Sequence, residues 1–140
     1  SCGDGQIMQA MLEAHPHVKI TGVEYDHGRA EQARAKGFSV MTANFLEIKP
    51  IPKFQYVLMN PPFYGLHWRK HLDHAIKFLK PCNEKGWDGG DVITILPASA
   101  YYDGHLDDLV GNWHDLPVAS FADSGTNVPT GFFITSGEKK

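Results

Sequence analysis

The sequence has little cysteine, no surplus of basic charge and no long apolar run, and each shortage narrows what the chain can be. Only two cysteines occur in 140 residues, Cys2 and Cys82, far apart and without Cys-x-x-Cys spacing. That excludes a disulfide framework and a zinc knuckle, and makes a reducing, cytoplasmic setting the expectation. No apolar stretch approaches the roughly 18 residues that cross a bilayer, so no membrane span is expected. The start carries no basic stretch leading into an apolar block, so no secretory signal is read there. Thirteen Lys plus Arg stand against 16 Asp plus Glu, a formal net charge of −3. A free-standing nucleic-acid binder carries a basic surplus. Here such contacts must be local or come from a part of the protein outside this sequence.

What is present is an alternation of strands and helices. Residues 6–14 have helical spacing and begin directly after Gly-Asp-Gly. His15-Pro16 ends them, and residues 18–24 read as a strand rich in β-branched side chains. A polar helix over 28–36 closes on Gly37. Residues 38–42 and 54–59 read as two further strands, the second following the loop prolines Pro50 and Pro52. Residues 67–80 have the apolar stripe Leu72, Ala75, Ile76, Leu79 of an amphipathic helix, stopped by Pro81. A strand is expected over 91–96 and a helix over 106–113. Closing strands are expected over 118–121 and 131–136, paired antiparallel with each other. Residues 1–140 read as one domain, with no internal repeat. Such alternation implies an α/β fold with a mostly parallel sheet covered on both faces. Ligands then bind at the carboxyl ends of the strands.

The unusual residues sit at those ends. Gly3-Asp4-Gly5 precedes the first helix, and glycines let a backbone turn sharply and approach a ligand closely. The third glycine of a GxGxxG pattern is absent, with Met8 in its place, so the turn serves a ligand or merely the fold. Glu24 ends the next strand about 20 residues on, the spacing at which an acid reaches a ribose diol. Its neighbour Asp26 could substitute, and a strand-end carboxylate capping the following helix is the alternative. Asn44 and Phe45 follow the third strand, where an amide can bond an adenine amino group while an aromatic packs on its ring. A turn Asn beside a core Phe is the other reading.

Asn60-Pro61-Pro62-Phe63 directly follows a buried strand. Two prolines fix φ and remove two donors, so the carbonyls are held out rigidly. An amino group on a planar base or amide has a delocalised lone pair and is a poor nucleophile. The Asn60 side-chain oxygen and the Pro61 carbonyl could each accept one of its hydrogens and localise that lone pair. Phe63 would stack on the face of the target ring.

On these residues the sequence resembles class I S-adenosylmethionine-dependent methyltransferases of the amino-methylating group, most of all DNA adenine-N6 methyltransferases. The resemblance spans essentially the whole chain and implies a Rossmann-like, doubly wound, mostly parallel sheet with an antiparallel C-terminal strand. It implies S-adenosylmethionine as cofactor, held by Gly3, Asp4, Gly5, Glu24, Tyr25, Asn44, Phe45 and Asn60. Asn44 stands where the family usually has Asp. Asn60, Pro61, Pro62 and Phe63 match the family's catalytic motif without substitution. DNA is the implied partner, with RNA or a protein glutamine as alternatives, and a non-catalytic methyltransferase-like binding subunit as a different class. Phe121 lies where the family often has a second aromatic against the flipped base, with Phe132 and Phe133 as competitors that read as core strand. The family's first, central strand and any target-recognition region are missing. The expectation is therefore a catalytic domain that forms part of a longer protein.

His67, His71 and His74 fall at i, i+4 and i+7 on the helix after the Asn-Pro-Pro-Phe loop. No cysteine or acid with ligand spacing completes a metal set, so no metal is expected. Arg69 and Lys70 beside them are candidates for phosphate contacts, which position rather than specify.

Overall fold

The computed structural model describes residues 2–83, 85, 89–117 and 128–140. The chain divides into two compact units, residues 1–49 and 50–140.

In the first unit, helix α1 (Gln6–Ala14) is followed by strand β1 (Thr21–Glu24), helix α2 (His27–Ala35), strand β2 (Ser39–Thr42) and a 3-10 turn at Phe45–Glu47. β1 and β2 pair in parallel, with Thr21 opposite Ser39 and Glu24 opposite Thr42. The Asp26 carboxylate caps α2, accepting the Arg29 N–H at 2.8 Å. α2 is polar along most of its length and packs through two alanines, Ala30 and Ala33, both fully buried. These small side chains allow a close approach. A Cβ at Gly5, where φ is +95°, would lie 3.2 Å from both Ala33 Cβ and Phe38 Cδ2. β1 is shorter than the sequence implies, because residues 18–20 pair with nothing in β2.

The second unit holds strand β3 (Tyr56–Met59), helix α3 (His67–Ile76), strand β4 (Asp91–Pro97), the four-residue helix α4 (Ser99–Tyr102) and strands β5 (Leu109–Asp115) and β6 (Thr130–Lys139). They form one sheet in the order β3-β4-β6-β5. β3 and β4 run parallel, while β6 runs antiparallel to both β4 and β5. α3 drives Trp68, Leu72 and Ala75 into the core, where Val92, Thr94, Leu96 and Phe133 are also buried. Gly137 admits α3: a Cβ there would lie 2.2 Å from the Ile76 side chain. No described helix is long and apolar enough to cross a membrane.

The C-terminal part departs from the expectation. Residues 106–113 do not form a helix. The helix in this region is α4, followed by a turn, and residues 109–115 are a strand. Leu106, Leu109, Val110 and Trp113 have helical spacing, yet Gly111 and Asn112 are weak helix formers. Pairing with β6 satisfies their backbone groups instead, with Trp113 opposite Phe133 and Asn112 opposite Ile134. β6 is longer than expected, and it pairs antiparallel with both β4 and β5. The strand expected over 118–121 lies outside the described residues.

Candidate active site

The candidate residues fall in both units, and in each they gather at the carboxyl ends of parallel strands. In the first unit the glycine turn is tied to the end of β1. The Cys2 N–H donates to the Val23 carbonyl at 2.9 Å. The Gly3 N–H donates to Glu24 Oε1 at 2.9 Å, and the Asp26 N–H donates to Glu24 Oε2 at 2.7 Å. Glu24 is only 3% exposed, so it is not a solvated strand-end acid, and Asp26 rather than Glu24 caps α2. Each carboxylate oxygen keeps a second acceptor position after these bonds. Glu24 can thus hold the turn and still accept from a diol.

The two glycines of the turn have different reasons to be glycine. Gly5 is demanded by packing, as described above. At Gly3 φ is +58° and nothing lies within 4 Å of where a Cβ would stand. That open backbone is what a ligand approaching the turn requires. Asp4 acts locally, accepting from the Gln6 N–H at 3.3 Å and from the Gln6 amide at 3.2 Å. Tyr25 is 76% exposed beside Glu24 and offers a ring face.

β2 ends beside β1. The Ala43 N–H donates to the Glu24 carbonyl at 3.0 Å. Asn44 Oδ1 accepts the Leu46 N–H at 3.1 Å and caps the 3-10 turn that begins at Phe45. Asn44 therefore has the turn role the sequence left open, and it stands at the same sheet edge as Gly3 and Glu24. Phe45 is half-buried.

In the second unit β3 ends at Met59, which is buried, and the next residue, Asn60, is exposed. Pro61 is buried and Pro62 and Phe63 are half-buried, so the loop is anchored while Asn60 stays at the surface. Gly65, at φ +55°, turns the chain into α3. Tyr64 stacks on His67 with ring centroids 4.8 Å apart, and His71 meets His67 edge to face at 5.0 Å.

Burial favours the neutral imidazole of His71 and pushes its pKa down to about 4, and the neighbouring His67 and His74 act in the same direction. In the unfolded chain the value returns to about 6.5. As pH falls from about 6.5 to about 4 the unfolded state takes up this proton and the folded state does not. Stability is thus expected to fall with pH across that window on account of His71. Denaturation midpoints of the wild type and His71→Gln against pH check this. The variant should lose less stability between the two limits, and equal losses would rule the assignment out.

Arg69 uses four of its five N–H donors. Its guanidinium donates to both carboxylate oxygens of Asp108 at 2.8 and 2.7 Å, to Asp73 at 3.0 Å and to the His105 carbonyl at 2.7 Å. These carboxylates hold Arg69 firmly protonated, and Arg69 with Lys139 keeps Asp108 well below the usual carboxylate range. A phosphate at Arg69 would have to displace two acids. The geometry makes Arg69 a strap between α3 and the turn before β5, a role that sequence spacing could not reveal. Lys70 is exposed on α3. Phe133 is core at 3% exposure, Phe132 stacks on His114 at 4.7 Å, and Phe121 lies outside the described residues.

No protein-family model matches the sequence, and no curated protein sequence matches it. Solved structures do share the fold. A candidate modification subunit of a type I restriction enzyme from Vibrio vulnificus YJ016 is 18% identical with a TM-score of 0.71, over 98% of this chain and 39% of that one. A 23S rRNA methyltransferase is 14% identical with a TM-score of 0.65, over 96% of this chain and 58% of that one. A plantazolicin methyltransferase, solved with a desmethyl substrate analogue and SAH, is 9% identical with a TM-score of 0.59, over 96% of this chain and 74% of that one. The chain spans about two-fifths and under three-fifths of the first two of these structures. It has an α/β fold of the kind found in methyltransferases.

Proposed function

We propose that the chain transfers a methyl group from S-adenosylmethionine to an exocyclic amino group, with adenine N6 in DNA as the favoured acceptor. The reading is carried by one observation above all: an exposed Asn60 on a doubly proline-stiffened loop at the carboxyl end of β3. Supporting it, the first unit has the features a nucleoside-bearing cofactor needs. There is open backbone at Gly3, a buried acid with spare acceptor capacity at Glu24 and an exposed ring at Tyr25. Neighbours in fold include a methyltransferase solved with SAH, a candidate restriction-enzyme modification subunit and an rRNA methyltransferase. They support the cofactor and a nucleic-acid substrate, and the last makes RNA the second reading.

In this mechanism Gly3, Glu24, Tyr25, Asn44 and Phe45 hold the cofactor. When bound, S-adenosylmethionine supplies a sulfonium methyl group open to attack by nitrogen. Asn60 Oδ1 and the Pro61 carbonyl accept the two hydrogens of the target amine, which draws its lone pair out of conjugation. The prolines keep these acceptors fixed, so the gain comes from alignment rather than covalent catalysis. The test is methyl transfer from labelled cofactor to DNA, RNA and protein, followed by analysis of the modified product. N6-methyladenine in DNA is expected. Methylation confined to oxygen, carbon or sulfur acceptors, or no transfer to any of the three, would overturn the reading.

Phe63 bears on the substrate class. A base inside a duplex must be extruded, and an aromatic platform contributes about 1–3 kcal/mol of stacking. Phe63→Ala is expected to lower methylation of a matched duplex well below that seen with Phe63→Tyr or Phe63→Trp. A mismatched target adenine, already cheaper to unstack, should recover part of the loss. Identical losses on matched and mismatched duplexes would remove base flipping by this ring and favour RNA or protein.

A further inference from the structure

Between β4 and the end of β5 lies a surface that the proposed methyl transfer does not use. Tyr101 stacks on Trp113 with ring centroids 5.3 Å apart and planes 2° from parallel, and Tyr102 stands edge-on to Tyr101 at 5.2 Å. Tyr101 is 43% and Tyr102 64% exposed. Large aromatics held together at a surface mark an interaction site more often than scattered ones. Asp115 is bound into their rim. The Tyr102 hydroxyl donates to Asp115 Oδ2 at 2.7 Å, and the Trp113 indole N–H donates to Oδ1 at 2.9 Å.

Both donors are neutral. Among the described residues no lysine, arginine or histidine makes an ion pair with Asp115. The two donated bonds hold its carboxyl below its ordinary value, so the charge persists at neutral pH. Asp103 and Asp107 are exposed in the turn after α4, while Asp108 of the same turn is already paired with Arg69 and Lys139. Among the described residues Asp115 carries no such counter-ion, so its charge repels a phosphate backbone and draws a cation. The ring faces attract cations as well, arginine most often, because its flat guanidinium both stacks and donates in a fork.

We propose that the Tyr101–Tyr102–Trp113–Asp115 surface docks an arginine side chain presented by a basic segment of a partner protein. The guanidinium lies over the exposed tyrosine faces and donates to the outer lone pairs of Asp115. β3 and β4 run parallel, so α4 and the Asn60 loop leave the sheet at the same edge. A partner docked here would lie on the catalytic-loop side of the second unit.

The test is titration of the protein with a short capped Gly-Arg-Gly-Arg-Gly peptide, followed by the indole N–H resonance of Trp113. That resonance is identified among the three tryptophans by its loss in Trp113→Phe. The bond from this N–H to Asp115 makes it a direct reporter. Addition of the arginine peptide is expected to shift it saturably, with weaker binding for a lysine peptide and none for the citrulline peptide. Asp115→Asn should weaken binding at least about tenfold, and Tyr102→Ala, an exposed position, should do so if Asp115→Asn fails to fold. Equal binding of citrulline and arginine peptides would overturn the proposal. So would unchanged affinity in both variants, or tighter binding by a single-stranded oligonucleotide than by the arginine peptide.

Discussion

Replacing Asn60 by alanine is expected to lower methyl transfer on the order of 10²- to 10³-fold, the size of effect seen when one oriented polar group that acts in the transition state is lost. Cofactor affinity should stay within several-fold. Asn60 is exposed directly after β3, so its truncation opens no cavity. In the proposed mechanism its carbonyl oxygen acts on the amine, which becomes more tetrahedral only as the new bond forms. The loss should therefore appear in kcat and leave KM for nucleic acid little changed. Asn60→Asp is informative beside it, because a carboxylate retains an acceptor at the same reach and should keep more turnover than alanine. If Asn60→Ala turns over at the wild-type rate, the loop does not activate an amine and the mechanism is wrong.

The second large effect is expected at Glu24. Hydrogen bonds to a carboxylate contribute about 1.5–3 kcal/mol each. Removing one that accepts from a cofactor diol should weaken S-adenosylmethionine binding on the order of 10²-fold or more. Glu24→Ala also strips the Gly3 and Asp26 N–H groups of their acceptor, so the turn itself should loosen and thermal stability should fall without any ligand present. Glu24→Gln separates the two contributions. It keeps the shape of the side chain and one acceptor oxygen, but sets its NH2 against one of the two backbone N–H donors, so it should restore only part of the stability and less of the affinity. Calorimetry with S-adenosylmethionine, paired with thermal unfolding in its absence, measures both. Affinity in Glu24→Ala within about threefold of wild type would leave Glu24 as a structural tie alone.

Both predictions concern residues visible in the sequence as chemically unusual at strand ends. The reason is general. Glycine pairs, consecutive prolines and an acid closing a β-branched run are local signals whose backbone consequences do not depend on the rest of the chain. The same holds for α1, α2 and α3, each bounded by breakers or capped by neighbouring residues, and for β3 and β4, which are short apolar runs. Their boundaries moved by a few residues where pairing or packing ended early, as at β1 and at the C-terminal end of α3.

Where local signals conflict, the sequence misleads. Residues 106–113 carry apolar side chains at helical spacing, and only the cross-strand partners in β6 reveal that part of this stretch is β5. Strand pairing joins residues far apart in the chain, so no window of sequence contains it. Arg69 reads as an exposed cation suited to phosphate, but Asp108, 39 positions further on, occupies its guanidinium. Glu24 reads as a ligand for a ribose, and the fold adds that its two oxygens already anchor Gly3 and Asp26.

The sequence by itself determined the α/β alternation, the glycine turn and acid at the start, and the proline-stiffened Asn60 loop, because each rests on the backbone preferences of adjacent residues. Tertiary structure alone decided the sheet order β3-β4-β6-β5, the strand identity of residues 109–115, the distinction between a packed Gly5 and an open Gly3, and the gathering of Tyr102, Trp113 and Asp115 into one surface. Each of these depends on which distant groups come within a few ångströms of one another, and that is set by the packing of the whole chain.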